Sequence, residues 1–514
     1  MTSYDPLPTI NQLLAQRTLP GVDVLKQPIT IPQIPPSFVI ATNDSARLAH
    51  SSAVSWLQLD QLRAFQERGH HRGYDDYLAS VGADGPPSPA ALSHPFNPVQ
   101  VLFSYDKPSR PHTVDDFVSY FNQRYRLIRS MLHVRPELAG ALSINHILKK
   151  RAREHASTIG IVTEKAVSPR GHLFLTIEDP TGQIRVLISK NKPDLFAAAQ
   201  DVMLDEVIGV VGVAGDRIIF AQSILWPDIP YNQELKKAPD EVYALFLSDI
   251  HVGSRYFLSD AFQHFLRWIR GMSGTEEQRD LAQKVRYVFI AGDLVDGVGI
   301  YPNQDKELII QDIYEQYREF ARLLAQIPPH IHIVLCPGNH DALRLSEPQP
   351  RLDQDFAAPL HQLPNVTLVS NPALLRIHAS EHFPGFDILL YHGYSFDYYV
   401  ATADSLRNSG GYHRADLIMR FLLKRRHLAP SHTSTLYIPD HETDPLVISH
   451  VPDIFATGHI HYSLVAQHRH ITLISGSCWQ SMTSFQEKMG HDPEPARVPA
   501  INLKTRAAKI LRFG

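Results

Sequence analysis

The stretch that decides the fold is Tyr287-Val288-Phe289-Ile290-Ala291-Gly292-Asp293-Leu294-Val295-Asp296. Its first five residues are apolar without polar alternation, which predicts a short strand covered on both faces. A glycine and a carboxylate follow where that strand would end. The carboxyl ends of strands are where open α/β sheets place their ligand sites. The stretch therefore predicts a buried sheet strand that delivers Asp293 to a functional site.

The same arrangement of an apolar run followed by polar ligand types recurs along the chain. The other polar motifs are Ser248-Asp249-Ile250-His251, Pro337-Gly338-Asn339-His340-Asp341, Tyr391-His392-Gly393 and Gly458-His459-Ile460-His461. Apolar runs precede these motifs at 243–247, 331–335, 388–391 and 454–457, and a further run follows the last motif at 471–475. Each of these runs predicts a strand. Helical patterns fall at 261–270 and 307–327. Strands alternating with helices predict an α/β sheet with helices packed against it.

Carboxylates, imidazoles and one amide at these positions favour a centre of two divalent metals. Such a pair, about 3.5–4 Å apart, clamps a phosphodiester and lowers the pKa of a bound water. Asp293 would bridge the ions, with Asp249, His251 and one histidine of the last motif on one of them. Asn339, His392 and the other histidine would hold the second. Mixed imidazole and carboxylate ligands suit Mn, Fe or Zn better than Ca or Mg alone.

Composition limits the alternatives. The 514 residues suggest about three domains. A net charge of -4, from 49 basic and 53 acidic residues, argues against nucleic-acid binding by bulk positive charge but leaves a local basic groove open. Two cysteines exclude a disulfide framework and cysteine-rich zinc sites, and favour a reduced, intracellular compartment. No apolar run reaches about 18 residues and no signal peptide is evident, so no membrane contact is expected.

The chain divides into four predicted regions. Residues 1–95 are a variable, partly helical or disordered region, with a helix at 53–68 and a proline- and glycine-rich linker at about 69–98. Residues 96–150 are a helical segment, whose main helix starts at Thr113. Residues 151–235 form a small barrel, and 240–514 form the domain with the metal motifs.

The barrel prediction rests on short strands separated by turn signals. They fall at 159–162, 171–177, 184–188, 207–213 and 217–224, with a helix at 193–200. This pattern suits a Greek-key barrel of the oligonucleotide-binding (OB) type. Barrels of this type often bind single strands through aromatic stacking and basic grooves. Candidate stacking aromatics are few, so a structural or docking role competes evenly with strand binding.

The motif series DxH, GD, GNHD, HG and GHxH resembles the calcineurin-like metallophosphoesterases. Further segments narrow the resemblance to the small, exonuclease subunits of archaeal family D DNA polymerases. They are residues 116–121, 178–182, 292–304, 422–430 and 451–455. The resemblance covers roughly residues 95–514, and it implies a metallophosphoesterase fold with a β-sandwich core flanked by helices, preceded by the barrel.

The resemblance also implies a function and its site residues. The function is 3′→5′ exonuclease proofreading at DNA 3′ ends, in a heterodimer with the large polymerising subunit. Asp249, His251, Asp293 and His461 would bind the first metal; Asp293, Asn339, His392 and His459 would bind the second. Two divalent ions are expected, Mn²⁺ first, with Fe, Zn or Mg as alternatives. His340 would act as acid or charge stabiliser at the phosphate, with Asp341 orienting it.

Several alternatives stay open. Lys424, Arg425 and Arg426 fit a DNA-backbone grip and a solvated helix end equally well. Asp296 either lies behind the metals or caps a turn, and the turn is slightly favoured. Tyr394 stands where the family usually has arginine, which would weaken a phosphate contact. A non-catalytic scaffold subunit is the alternative function, although it would be expected to lack ligands. The expected location is the cytoplasm, at the nucleoid. A sliding-clamp contact is left open, because the chain ends without a clear clamp-binding motif.

Overall fold

A computed structural model describes residues 98–483, 486–487 and 492–514. The predicted N-terminal region 1–95, its helix at 53–68 and nearly all of the linker at 69–98 lie outside the described residues. Among the helices that are described, none combines the length and the apolar character needed to cross a membrane.

The strands form two six-stranded sheets and one closed barrel. They are β1 Val99–Ser104, β2 His155–Val167, β3 Leu173–Asp179, β4 Gly182–Ile188, β5 Val207–Ala214, β6 Ile218–Leu225, β7 Tyr243–Leu247, β8 Val285–Ala291, β9 His332–Cys336, β10 Val366–Leu368, β11 Ala373–Ile377, β12 Phe386–Leu390, β13 Ile454–Thr457, β14 Leu464–His468, β15 Ile471–Ser475, β16 Arg497–Asn502 and β17 Ala508–Arg512. The helices are α1 Val114–His133, α2 Ile144–Ile147, α3 Pro193–Gln200, α4 Ser259–Ile269, α5 Glu276–Gln283, α6 Ile313–Leu324, α7 Gln354–His361, α8 Phe396–Thr402, α9 Asp404–Asn408 and α10 Ala415–Arg425.

The two sheets face each other as a sandwich. One has the order β1-β11-β12-β13-β15-β14 and the other β10-β9-β8-β7-β16-β17. Side chains from both sheets share one core, in which Phe246 and Phe289 stack with ring centroids 5.1 Å apart. Helices α4 to α7 cover the outer face of the second sheet, and α8 to α10 cover that of the first. The predicted β-sandwich core flanked by helices is confirmed.

Two local predictions were wrong. The helix predicted over 307–327 begins only at Ile313, because Asp312 caps it through its carboxylate. The preceding residues instead lie along the 253–255 turn, where Ile309 and Ile310 both donate backbone hydrogen bonds to the Gly253 carbonyl. The segment 96–150 is also not purely helical, because β1 pairs antiparallel with β11 and extends the first sheet.

The barrel closes in the order β2-β3-β4-β6-β5, with α3 between β4 and β5 as the sequence predicted. Alternating residues of the strands, including Leu175, Val186 and Val210, fill its interior. The barrel is therefore a separately packed unit that precedes the sandwich in the chain.

Helix α1 is fastened to the sandwich domain by a buried ion pair. Arg124 Nε donates to Asp444 Oδ2 at 2.7 Å, and both side chains are fully buried. Tyr120 donates to the other carboxylate oxygen at 2.8 Å, and His427 Nε2 lies 2.9 Å from Oδ2. Arg124 also donates to the Pro430 carbonyl at 2.8 Å. Two segments that carry the family resemblance, 116–121 and 422–430, thus meet at one carboxylate.

Candidate metal centre

The five ligand motifs meet at one edge of the sandwich. The first three follow β7, β8 and β9, which run parallel in one sheet, and the last two follow β12 and β13, which run parallel in the other. Several ligand residues there adopt left-handed backbone conformations, with φ between 50° and 72°: Asp249, His251, Asp293, His459 and His461. Such conformations are uncommon for residues other than glycine and cluster at functional sites.

The first group of ligands surrounds Asp249. His461 Nε2 lies 3.3 Å from Asp249 Oδ1 and 3.2 Å from His251 Nε2. His251 Nε2 is also 3.9 Å from Asp293 Oδ2. All four side chains are buried. The ring nitrogens of two buried imidazoles therefore point at each other beside two carboxylates, an arrangement that a shared cation satisfies.

The second group surrounds Asn339. Its Oδ1 lies 2.8 Å from His392 Nε2 and 3.1 Å from His459 Nδ1. His392 Nε2 is in turn 3.5 Å from Asp293 Oδ2. The same oxygen of Asp293 therefore faces both groups, as a bridging ligand requires. The structure brings together all seven residues for which the sequence predicted metal binding, and their donor atoms fit two divalent ions.

Space around the central carboxylate is set by Gly338. A β-carbon at this position would overlap Asp293 Oδ1 and lie 2.5 Å from the Asp293 backbone nitrogen. It would also lie 2.8 Å from His392 Cε1. No real side chain tolerates such contacts, so the glycine permits the loop after β9 to approach Asp293.

The outward ring nitrogens of His251, His459 and His392 each contact a polar group. Asp296 Oδ1 is 3.1 Å from His251 Nδ1, and Asp397 Oδ2 is 3.0 Å from His459 Nε2. The Ala291 carbonyl accepts from His392 Nδ1 at 2.8 Å. These contacts orient the rings and fix which nitrogen faces the centre.

The sequence slightly favoured a turn-capping role for Asp296, and this prediction was wrong. Its carboxylate is buried against His251 and accepts hydrogen bonds from Gln304 Nε2 at 3.0 Å and Gln480 Nε2 at 2.9 Å. The location behind the metals was the other alternative, and it describes the observed contacts. A motif of the form GDxxD is the sequence signal that points to it.

His340 borders the centre, with Nε2 4.0 Å from Asp293 Oδ2. Its Nδ1 lies 2.8 Å from the Asp296 carbonyl, so this backbone group orients the ring. The predicted role of Asp341 in orienting His340 was wrong. The Asp341 carboxylate is buried and accepts from the Gly338 backbone at 2.8 Å and from Tyr317 Oη at 3.0 Å. It fixes the loop that carries Asn339.

The electrostatics of the centre favour cations. Burial opposes charge on His251, but Asp296 and Asp293 outweigh it and raise the pKa of His251 to about 9. Burial likewise opposes charge on His459, and Asp397 raises its pKa to about 9. At these two rings the carboxylates outweigh burial, whereas burial prevails at His461 and His340 and lowers the pKa of both. Asp249 and Asp293, which face the centre, supply the negative charge that would stabilise a divalent ion there.

The basic segment 424–426 does not form a free DNA grip. Arg425 is buried, with Nε 2.6 Å from Glu206 of the barrel. Arg426 is buried and donates to the carbonyl of Ile448 at 2.7 Å. Lys424 is exposed, but its Nζ lies 3.9 Å from the ring centroid of Trp226. The segment links the barrel to the sandwich. Its two buried arginines are described neither by the predicted DNA-backbone grip nor by the predicted solvated helix end.

Sequence reasoning missed Asp397 and Gln480. Asp397 lies in α8, five residues after His392, and Gln480 follows β15. Neither belongs to a metal-ligand motif, and only the packing of the chain brings them to the centre. Tyr394 and Tyr301 also border it, with ring centroids 5.7 Å from His459 and 6.4 Å from His340.

Comparison with known proteins agrees with this geometry. The sequence model of the family described as calcineurin-like phosphoesterase matches residues 243–463, which span β7 and the last ligand motif. The fold and the site together therefore define a calcineurin-like phosphoesterase domain, a class that implies divalent metal ions.

Relatives cover a longer part of the chain. The DNA polymerase II small subunit of Methanothermobacter thermautotrophicus is 38% identical over 411 residues, which are 79% of this chain and 82% of that protein. That of Archaeoglobus fulgidus is 38% identical over 413 residues, 79% of each. That of Pyrococcus horikoshii is 37% identical over 403 residues, 78% of this chain and 63% of that protein. This chain belongs to the family of DNA polymerase II small subunits, as its motifs predicted.

Proposed function

We propose that this chain is the proofreading subunit of an archaeal replicative DNA polymerase. In this role it hydrolyses phosphodiester bonds from DNA 3′ ends in a dimetal-dependent 3′→5′ exonuclease reaction. It would act in the cytoplasm, at the nucleoid, in a heterodimer with the large polymerising subunit that the names of its relatives imply. The observation that carries the proposal is that one buried oxygen, Asp293 Oδ2, faces both ligand groups.

The residues would divide the work between metal binding and phosphate chemistry. Asp249, His251 and His461 would hold one ion with Asp293, and Asn339, His392 and His459 the other. Bound at these positions, two divalent ions supply a water of lowered pKa and neutralise phosphate charge. His340 borders this centre, in position to protonate or stabilise the leaving oxygen. Mn²⁺ is the favoured ion, with Fe, Zn and Mg as alternatives.

The strand order of the barrel supports its assignment to the OB type, in which five strands close with one helix between the third and fourth. The scaffold alternative predicts missing ligands, and a complete set argues against it. A sliding-clamp contact is not assigned.

The test is a nuclease assay on the purified full chain, with and without the large subunit. A 3′-labelled single strand and a primer with a 3′ mismatch are incubated with a Mn²⁺ titration. We expect mononucleotide release that depends on metal and is lost in Asp293→Asn, which replaces the carboxylate that faces both ligand groups. Absence of metal-dependent release in both preparations, with metal shown to be bound, would support the scaffold alternative.

A further inference from the structure

The outer face of the barrel carries a band of apolar side chains. Phe174 on β3 pairs with Leu187 on β4, Leu187 pairs with Phe220 on β6, and Phe220 pairs with Val213 on β5. Paired residues project from the same face of a sheet, so these four side chains are contiguous. Phe220 is 47% exposed, although a solvent-facing strand position is ordinarily polar.

Cations flank this band on both sides. Arg185 lies in the adjoining row of β4, and its guanidinium carbon is 4.3 Å from the centroid of the Phe174 ring. On the other side, the exposed residues Lys190 and Lys192 follow the end of β4. Lys192 Nζ donates to the carbonyl of Ala221, the residue after Phe220, at 2.9 Å. Glu164 lies in the same cross-strand row as Arg185, and its carboxylate accepts a hydrogen bond from Thr176 at 2.8 Å.

This combination matches the chemistry of a single-stranded nucleic acid. Bases of any identity stack on aromatic faces, and phosphates pair with flanking cations. The Arg185 guanidinium lies over the Phe174 ring, which places a positive charge for a phosphate directly beside the aromatic surface. A purely apolar partner would leave the three cations on the rim without counter-charges.

We propose that this band is a binding surface for single-stranded DNA, separate from the metal centre. Phe174 and Phe220 supply the stacking platform, and Arg185, Lys190 and Lys192 contact the phosphates. The sequence alone showed few candidate aromatics, and the strand register is what aligns two of them on one face.

The test measures binding without hydrolysis. Fluorescence anisotropy of a labelled oligothymidine, about 15 nucleotides long to suit one barrel, is followed with the full chain in EDTA. We expect Phe174→Leu with Phe220→Leu to weaken binding about ten-fold or more, because leucine keeps apolar area but has no ring face. Arg185→Ala should weaken binding and reduce its salt dependence.

The control is Tyr231→Ala, which removes an aromatic side chain that is 73% exposed outside the barrel. It should bind like the wild type. Wild-type affinity in the leucine double variant would overturn the proposal. The proposal would also be overturned if the double variant kept its DNA affinity but no longer eluted with the large subunit in gel filtration. The band would then be a protein interface. Because the test measures binding and not hydrolysis, a chain without nuclease activity could still show the expected result. The binding proposal and the proposed exonuclease function can therefore fail separately.

Discussion

Asp296 holds His251 by the ring nitrogen that faces away from the metal centre, with 3.1 Å between Oδ1 and Nδ1. The remaining nitrogen, Nε2, is thereby directed at His461 and Asp293. Asp397 does the same for His459 through the opposite nitrogen, so that Nδ1 faces Asn339. The two ligand groups are therefore each organised by a carboxylate that does not itself face the centre.

Asp296→Ala should lower metal affinity by about 10–100-fold, because loss of an orienting partner leaves the His251 ring free to turn. Asp296→Asn keeps an acceptor oxygen and should lose less. Mn²⁺ titration calorimetry measures both. Asp305→Asn, at an exposed position, is the matched control. Unchanged affinity in the alanine variant would show that His251 needs no such partner.

Gly338→Ala should abolish binding of at least one metal ion, since the added methyl group overlaps the Asp293 carboxylate. The effect can be read from metal content by mass spectrometry after equilibration with Mn²⁺. Gly140→Ala is the control, because its β-carbon would meet no atom within 4 Å. Full metal content in Gly338→Ala would contradict the close packing of this loop on Asp293.

Asp444→Leu should destabilise the protein by about 3–5 kcal/mol, because it leaves Arg124 buried without its counter-charge. Urea unfolding followed by circular dichroism measures this loss. Glu277→Gln removes one partner of the exposed pair with Lys509 and should not change stability measurably. Pairing Asp444→Leu with Arg124→Met should recover part of the loss, and no recovery would argue against the ion pair as its source.

Stability should fall as pH decreases from about 6.5 to 4, in part because of His427. Its Nδ1 accepts from the Ala429 backbone at 2.9 Å and its Nε2 contacts Asp444, so the ring is neutral. Burial and then the charge of Arg124 lower its pKa to about 4. The unfolded chain binds the extra proton in this range and the folded chain does not, so acid favours unfolding.

The expected size of this effect is on the order of 3 kcal/mol across that range. His427→Gln keeps a donor toward Asp444 but cannot titrate. Its urea midpoint should therefore depend less on pH between 6.5 and 4 than that of the wild type. Parallel pH profiles for the two proteins would exclude His427 as a source of acid sensitivity.

The metal motifs could be found from sequence because each combines a local strand pattern with ligands directly after it. The register that aligns Phe174, Leu187 and Phe220 could not be predicted from the sequence, because it depends on which strands become neighbours in the closed barrel. The burial of Arg425 was equally hidden. A run of basic residues at a helix end resembles a solvated surface, and only the barrel acid Glu206 makes it an interior contact.

The order of strands in the second sheet has a consequence for how the chain is synthesised and folds. Strand β7, which leads to Asp249, lies between β8 and β16, and β16 spans residues 497–502. On a translating ribosome, the barrel emerges complete long before β16 leaves the exit tunnel. The second sheet can close around β7 only after β16 has been synthesised, and β16 begins at Arg497, 250 residues after β7 ends at Leu247. Fragments of the chain that end before β16 therefore lack the strand that pairs with β7 on the side away from β8.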